Sequence, residues 1–140
     1  MKRIVSFLLI ISMILFNGCG ISLEDEKCDE YLEKGISALE NKDKEEFINL
    51  FWEKALEDYS ESDWDIVMGD MIAIWQGTME SYEMRSKEVK KEINQTTYVR
   101  CGYNVKTTEE KYIVTIIRVE DNNGLEELAW FNIQRDLGNE

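Results

Sequence analysis

The residues available for chemistry in this 140-residue chain do not include histidine. Its absence excludes Ser–His and Cys–His nucleophilic pairs, histidine general bases and histidine-containing metal sites. The acidic stretches Asp63-Trp64-Asp65 and Glu120-Asp121 lack the ligand spacing of an EF-hand calcium loop. The sequence therefore predicts no metal and no cofactor, and leaves chemistry to carboxylates, Tyr, Lys, Arg and Cys.

Aromatic side chains are a second resource, because they can line a pocket for an apolar or sugar-like ligand. The set comprises Trp52, Trp64, Trp75, Tyr82, Tyr103, Tyr112 and Trp130. From it, the binding candidates are Trp52, Trp75, Tyr103 and Trp130. The alternative is that these rings belong to the core, where aromatics at helix or strand spacing are commonly found.

Cys28 and Cys101 are candidates for a disulfide if the domain is exported. Such a bond requires a Cα separation within about 7 Å. Both residues also fall on apolar faces, where a free buried thiol behaves as a small hydrophobe. Their spacing matches no redox or zinc motif, so a disulfide and two free buried thiols both remain open.

The N-terminal segment has the pattern of an export signal. Two positive charges in Met1-Lys2-Arg3 precede the apolar run Ile4–Phe16, and Gly18 and Cys19 follow almost at once. The run is too short for a spanning helix, which needs about 20 apolar residues. Cys19 directly after Gly18 resembles the lipobox of bacterial lipoproteins, in which the cysteine thiol receives a diacylglyceryl group and the peptidase cuts just before it.

Two positions depart from the usual lipobox, namely Phe16 where Leu is commonest and Asn17 where a smaller residue is usual. An ordinary cleaved signal with an incidental Cys19 is the alternative. We predict a lipid anchor at Cys19, which places the protein on the extracytoplasmic face of the cell membrane. Two acyl chains are expected to hold it there, since one chain binds only reversibly.

The helices and strands expected to position these residues follow from hydrophobic spacing. A three-four apolar spacing and capping residues predict helices over 28–39, 43–56 and 66–75, the third capped by Ser62 and Asp65 and ended by Gly77. Alternation and β-branched residues predict strands over 78–86, 97–105, 111–119 and 128–134, with a charged connector over 87–94 and a hairpin turn at Asp121–Gly124. Helices followed by strands predict an α+β fold with the helices packed on one face of an antiparallel sheet.

We predict a signal peptide over residues 1–18, a lipidated tether over 19–27 and a single α+β domain over 28–140. Cleavage leaves 122 residues and moves the formal charge from −13 to −15. This acidic excess disfavours nucleic acid, whose affinity depends on Lys and Arg. The predicted partners are the membrane, reached through the lipid anchor, and an unknown small ligand or envelope protein.

Three stretches carry a resemblance to a known family: ALENKDKEEFINLFWEKA, IWQG at the end of the third helix, and YVRCGYNVKTTEEKYIVTIIRVEDNNG. They resemble small lipoproteins of Gram-positive bacteria whose uncharacterised domain belongs to the nuclear-transport-factor-2-like, or cystatin-like, superfamily. The resemblance covers roughly residues 28–135. It implies a curved sheet wrapped against the helices into a cone, often with a pocket at the wide end, and it implies no activity.

Enzymes that resemble this superfamily often use a pocket aspartate as acid or base, which makes Asp70 the catalytic candidate. A carboxylate in an apolar pocket is harder to ionise and therefore suits proton transfer. The alternative places Asp70 on the solvated face of its helix. The leading hypothesis is a membrane-tethered, non-catalytic ligand-binding or protein-interaction module. The alternatives are a small carboxylate-dependent hydrolase, isomerase or dehydratase, and a structural role in envelope assembly.

Overall fold

The computed structural model describes residues 23–92, 96–121 and 126–138; the predicted signal peptide and Cys19 lie outside these ranges. The helices are α1 (Glu26–Glu40), α2 (Lys44–Ile48), α3 (Glu53–Leu56) and α4 (Glu61–Ile74). The strands are β1 (Met79–Lys91), β2 (Thr97–Thr107), β3 (Lys111–Glu120) and β4 (Glu126–Arg135). N-terminal helices thus precede an antiparallel sheet, which confirms the predicted α+β class.

The four strands form one sheet in the order β1-β2-β3-β4, with every neighbouring pair antiparallel. The pairing shifts register between Met84 and Ser86 and again between Ile117 and Arg118. Such irregularities bend a strand and increase its twist. β1 and β4 form the two edges, and the helices cover one face.

Helix α1 packs its apolar stripe on the sheet. Leu32, Ile36 and Leu39 are at most 2% exposed and follow the three-four spacing of one helix face. The ring of Phe131 on β4 packs closely against Gly35 of the same helix. A Cβ atom at Gly35 would lie 2.4 Å from a carbon of this ring. Glycine at this position therefore sets how closely α1 approaches β4.

The N-terminal boundary of the domain lies earlier than predicted. Asp25 is 7% exposed, and its side chain accepts a hydrogen bond from the backbone N–H of Cys28 at 2.8 Å. This arrangement caps α1, which begins at Glu26. Residues 25–27, which the sequence assigned to the tether, therefore belong to the folded domain.

The predicted helix over 43–56 is instead two short helices, α2 and α3. Between them the chain pairs with β4: Leu128 N–H donates to the Leu50 carbonyl at 3.0 Å, and Trp52 N–H donates to the Leu128 carbonyl at 2.7 Å. These bonds place Phe51 in a parallel bridge to Leu128. The helix is broken because its backbone groups are used by the edge of the sheet.

Two further boundaries differ from the prediction. Helix α4 begins five residues before the predicted Ile66, and its capping box uses Ser60 and Asp63 rather than Ser62 and Asp65. Strand β1 continues through the predicted charged connector as far as Lys91, which pairs with Thr97. Charged side chains suit an exposed edge strand, where they oppose pairing with another chain.

The predicted turn at Asp121–Gly124 lies mostly outside the described residues.

Within the described ranges, no helix combines the length and apolar character needed to cross a membrane.

Candidate functional site

An apolar groove of about 310 Å³ lies between helix α4 and edge strand β4. Its lining is mainly aromatic and aliphatic, with Asp70 and Asn132 as polar members: Phe47, Phe51, Ala55, Tyr59, Trp64, Val67, Asp70, Met71, Ile74 and Ala129–Ile133. The volume is near the lower limit of ligand pockets in proteins. It suits a small ligand or one or two side chains of a partner.

The α4 wall of the groove follows from helical spacing. Trp64, Val67 and Met71 stand three and four residues apart and therefore share one face of the helix. Trp64 and Met71 are each 6% exposed, so this face is directed into the protein. The same face continues to Ile74 at the end of the helix.

Contacts between aromatic rings form the floor of the groove. The ring of Phe47 is fully buried and lies 5.3 Å from Phe51 and 5.4 Å from Phe131, measured between centroids. Trp64 lies 4.8 Å from Phe51 and 5.3 Å from Tyr59. Tilted and edge-to-face pairs at these distances are favourable. Tyr59 is 39% exposed, so this row of aromatic rings extends from the core to the protein surface.

The opposite wall is the edge of β4. Five consecutive residues, Ala129–Ile133, border the groove, although successive side chains of a strand point to opposite faces. Phe131 and Ile133 are buried, whereas Trp130 is 46% exposed. The groove therefore follows the strand's outer edge. Within the described residues, β4 has no strand neighbour there, and its one bridge on that edge, from Phe51 to Leu128, precedes the groove.

Asp70, the catalytic candidate, borders the groove and is exposed to solvent. The sequence left two positions open for Asp70, a pocket or the solvated face of its helix. In the structure its side chain is on the solvated side of α4 and also at the rim of the groove. It is the one carboxylate among the described lining residues. A carboxylate in this position can accept hydrogen bonds or attract a cationic group.

Of the four aromatic binding candidates, Trp130 lies at the groove and the other three do not. Trp52 contacts Tyr98 edge-on at 6.5 Å, and Trp75 stacks on Tyr112 at 4.6 Å. Tyr103 is fully buried, and its hydroxyl donates to Asp29 Oδ1 at 2.8 Å. Burial and then this hydrogen bond raise the pKa of Tyr103 well above its usual range. Tyr103 is therefore a core residue.

Sequence reasoning missed Phe47, Phe51 and Tyr59 as groove residues. The signal for the two phenylalanines was present, because they mark the apolar face of the predicted second helix. That face alone does not show that Phe51 meets Trp64, which comes from another helix. For Tyr59, which stands in the link before α4, the sequence carries no comparable signal.

A second cluster lies at the N-terminal end of α1, where three buried groups meet. One ligand atom each from Asp25, Cys28 and Cys101 lie within 4.8 Å of one another. Asp25 already binds Arg118, with its Oδ2 2.7 Å from Nη2, and lies 3.1 Å from Lys87 Nζ. Two cations on the carboxylate disfavour a third, so this set is a poor site for a metal ion.

Comparisons with known proteins give a family but no activity. A family model described as a domain of unknown function (DUF5104) matches residues 34–131. No curated protein matches the chain. Among solved structures, ActVI-ORFA from Streptomyces coelicolor is similar at 10% identity and a TM-score of 0.41, over 76% of this chain and 92% of that one.

Proposed function

The chain belongs to the DUF5104 family, and we propose that it is a membrane-tethered extracytoplasmic lipoprotein whose groove binds a small, largely apolar ligand without catalysis. The observation that carries the proposal is the groove between α4 and β4, with its aromatic floor and open mouth. Pockets of this kind, apolar with few polar groups, are the usual form of a ligand site.

Binding fits the groove better than catalysis. General acid–base chemistry needs an acid or base held in a fixed position, together with a second group that acts on the substrate. Asp70 is exposed, and Tyr59 is the other ionisable side chain among the described lining residues. Asp70 is better suited to orienting a ligand that carries a hydrogen-bond donor or a positive charge.

The groove is tested with a neutral fluorescent probe, N-phenylnaphthylamine, titrated into the purified protein. Ala55 lines the groove and is half-buried. We expect Ala55→Trp to fill the space and to weaken probe binding at least tenfold. Ala73→Trp is the matched control, since Ala73 is an exposed α4 residue outside the groove. Equal binding by both variants would refute a ligand site at this place.

The enzyme alternative and the binding proposal both predict unchanged affinity of Asp70→Asn for neutral ligands, and they differ in the other effects of this substitution. If Asp70 were an acid or base, Asp70→Asn would abolish turnover and leave the affinity for neutral ligands unchanged. In the binding proposal, Asp70→Asn leaves N-phenylnaphthylamine binding unchanged and weakens binding of a cationic analogue. Titration of the same variant with the neutral and the cationic probe separates an orienting carboxylate from one with no role at the groove.

A second candidate function, docking of an extended peptide, is favoured by the run of edge residues Ala129–Ile133. A peptide strand can pair with an open sheet edge and place alternate side chains in an adjoining pocket. The bridge between Phe51 and Leu128 is already one such pairing. Amide hydrogen exchange distinguishes the two functions. A synthetic hexapeptide of alternating valine and threonine is expected to slow exchange at residues 129–133, whereas a small apolar ligand is not.

The lipoprotein part of the proposal rests on the apolar run Ile4–Phe16 followed by Gly18 and Cys19. Its test is the intact mass and membrane partitioning of the chain expressed in a bacterial host, compared with Cys19→Ser. We expect a mass of residues 19–140 plus a diacylglyceryl group, lost together with membrane association in the variant. An unlipidated, soluble native chain would refute the anchor.

A further inference from the structure

We propose that Cys28 and Cys101 form a disulfide in the exported protein, which ties helix α1 covalently to the central strand β2. This bond is a modification of the chain and is independent of what the groove binds. It depends on export only through the oxidising compartment that the reaction needs.

Both thiols are free in this structure, and the fold places them close together. Cys28 lies in the first turn of α1 and Cys101 in the middle of β2, and both residues are 0% exposed. Their sulfur atoms lie within 4.8 Å of each other, which leaves a short approach to bonding distance. Two residues 73 positions apart are therefore paired by the fold itself, in the part of the core where α1 meets the sheet.

The surroundings favour a disulfide over a metal ion. The third potential ligand, Asp25, is held by Arg118 through two hydrogen bonds and by Lys87 at 3.1 Å. A metal ion would need two thiolates and would stand beside these two cations. A disulfide is neutral and places no charge in a buried site, so it avoids the cost of desolvating a thiolate.

The oxidation is a two-step exchange with a small external disulfide, such as oxidised glutathione. The Cys28 thiolate attacks one sulfur of the external disulfide, breaking that bond, forming a mixed disulfide and releasing one small thiol. The Cys101 thiolate then attacks Cys28 Sγ, forming the protein disulfide and releasing the second small thiol. The protein loses two electrons and two protons, and the two released thiols carry both.

Because both cysteines are buried in the folded protein, the time at which the bond forms depends on folding. In the folded protein the hydrogen bond with Cys101, and then burial, raise the pKa of Cys28 far above its usual range. The folded Cys28 thiol is therefore neutral, and both sulfur atoms are buried away from an oxidant, so the exchange begins before α1 settles on β2. The same burial afterwards protects the disulfide from reductants.

The test uses the full chain recovered from the bacterial envelope, trapped with N-ethylmaleimide under unfolding conditions and digested with trypsin without reduction. We expect the peptides CDEYLEK (28–34) and CGYNVK (101–106) as one linked species that separates on reduction. Cys28→Ser and Cys101→Ser are the controls, and each is expected to leave a single alkylated thiol. Folded wild-type protein is expected to keep the bond in dithiothreitol until urea is added.

Two alkylated peptides from the lipidated chain would overturn the proposal, and so would zinc retained by the chain in native mass spectrometry. If the digest instead shows an uncleaved N-terminal peptide, export has failed. The reduced, unfolded chain refolded with oxidised glutathione then decides the pairing. A linked peptide there supports it, and two alkylated thiols overturn it.

Discussion

Arg118 on β3 binds both carboxylate oxygens of Asp25, with Nε 3.0 Å from Oδ1 and Nη2 2.7 Å from Oδ2. The two side chains are 9% and 3% exposed. Asp25 also caps α1 through the Cys28 N–H and lies 3.1 Å from Lys87 on β1. One carboxylate thus fastens the first helix to two strands of the sheet.

Removing the charge of Asp25 is expected to destabilise the fold. Asp25→Asn retains a capping side chain but leaves Arg118 buried without its main partner, at a cost of about 3 kcal/mol. Urea unfolding at neutral pH measures the loss. The control Lys27→Gln breaks an exposed pair with Glu126 at 3.5 Å and is expected to cost less than about 1 kcal/mol. Equal losses would contradict a structural role for the buried pair.

The same pair predicts acid sensitivity. Burial raises the pKa of Asp25, but the hydrogen bonds from Arg118 and the Cys28 N–H and the proximity of Lys87 outweigh it and lower the pKa well below 3.8. A lowered folded-state pKa contributes stability above the unfolded value, and this contribution is lost as the pH falls. We expect the stability difference between wild type and Asp25→Asn to shrink as the pH falls below 3.8, in urea titrations at successive pH values. A constant difference would contradict the assignment.

We also expect the protein to lose stability at alkaline pH, because of Tyr31. Its hydroxyl donates to the Glu126 carbonyl at 2.6 Å. Burial, and then the charges of Glu126 and Glu127, raise the pKa of Tyr31 from 10.0 to about 12. A raised folded-state pKa contributes stability that is present below pH 10 and lost between pH 10 and 12. Unfolding curves of wild type and Tyr31→Phe should therefore converge across that range, and parallel curves would refute the prediction.

Gly35 and Gly69 form a matched pair of helical glycines. A Cβ at Gly35 would lie 2.4 Å from a Phe131 ring carbon, whereas a Cβ at Gly69 meets nothing within 4 Å. Gly35→Ala is expected to cost about 1–3 kcal/mol by overpacking, and to weaken N-phenylnaphthylamine binding because Phe131 borders the groove. Gly69→Ala is expected to stabilise α4 by about 0.5–1 kcal/mol. Thermal unfolding and probe titration of both variants test these expectations. Unchanged probe binding by Gly35→Ala would show that Phe131 does not contribute to the binding site.

The proposed disulfide predicts a stability difference that depends on reduction. Unfolding in dithiothreitol is expected to lower the free energy of unfolding of the wild type by about 2–4 kcal/mol, since the bond closes a long loop. The double variant Cys28→Ala, Cys101→Ala is the control and should not respond to the reductant. A wild type that behaves like the control would show that the two thiols are free.

Side-chain periodicity was a good guide wherever one face of an element is buried. On β2, the residues Val99, Cys101, Tyr103 and Val105 are at most 3% exposed, as their alternation predicted. The boundaries of β1 and of the predicted second helix were wrong because backbone pairing decides them. Lys91 pairs with Thr97 despite its charge, and Leu128 takes the backbone groups of Leu50 and Trp52.

The sequence by itself determined the order of helices and strands, the α+β class and the buried faces, because each depends on the spacing of apolar residues along a local element. The tertiary structure decided which faces meet. It brought Phe51, Trp64 and Phe131 into the lining of one groove and moved Asp25 from the predicted tether into a buried ion pair with Arg118. These contacts join residues distant in sequence, and their geometry follows from helix packing and strand register, which local spacing does not specify.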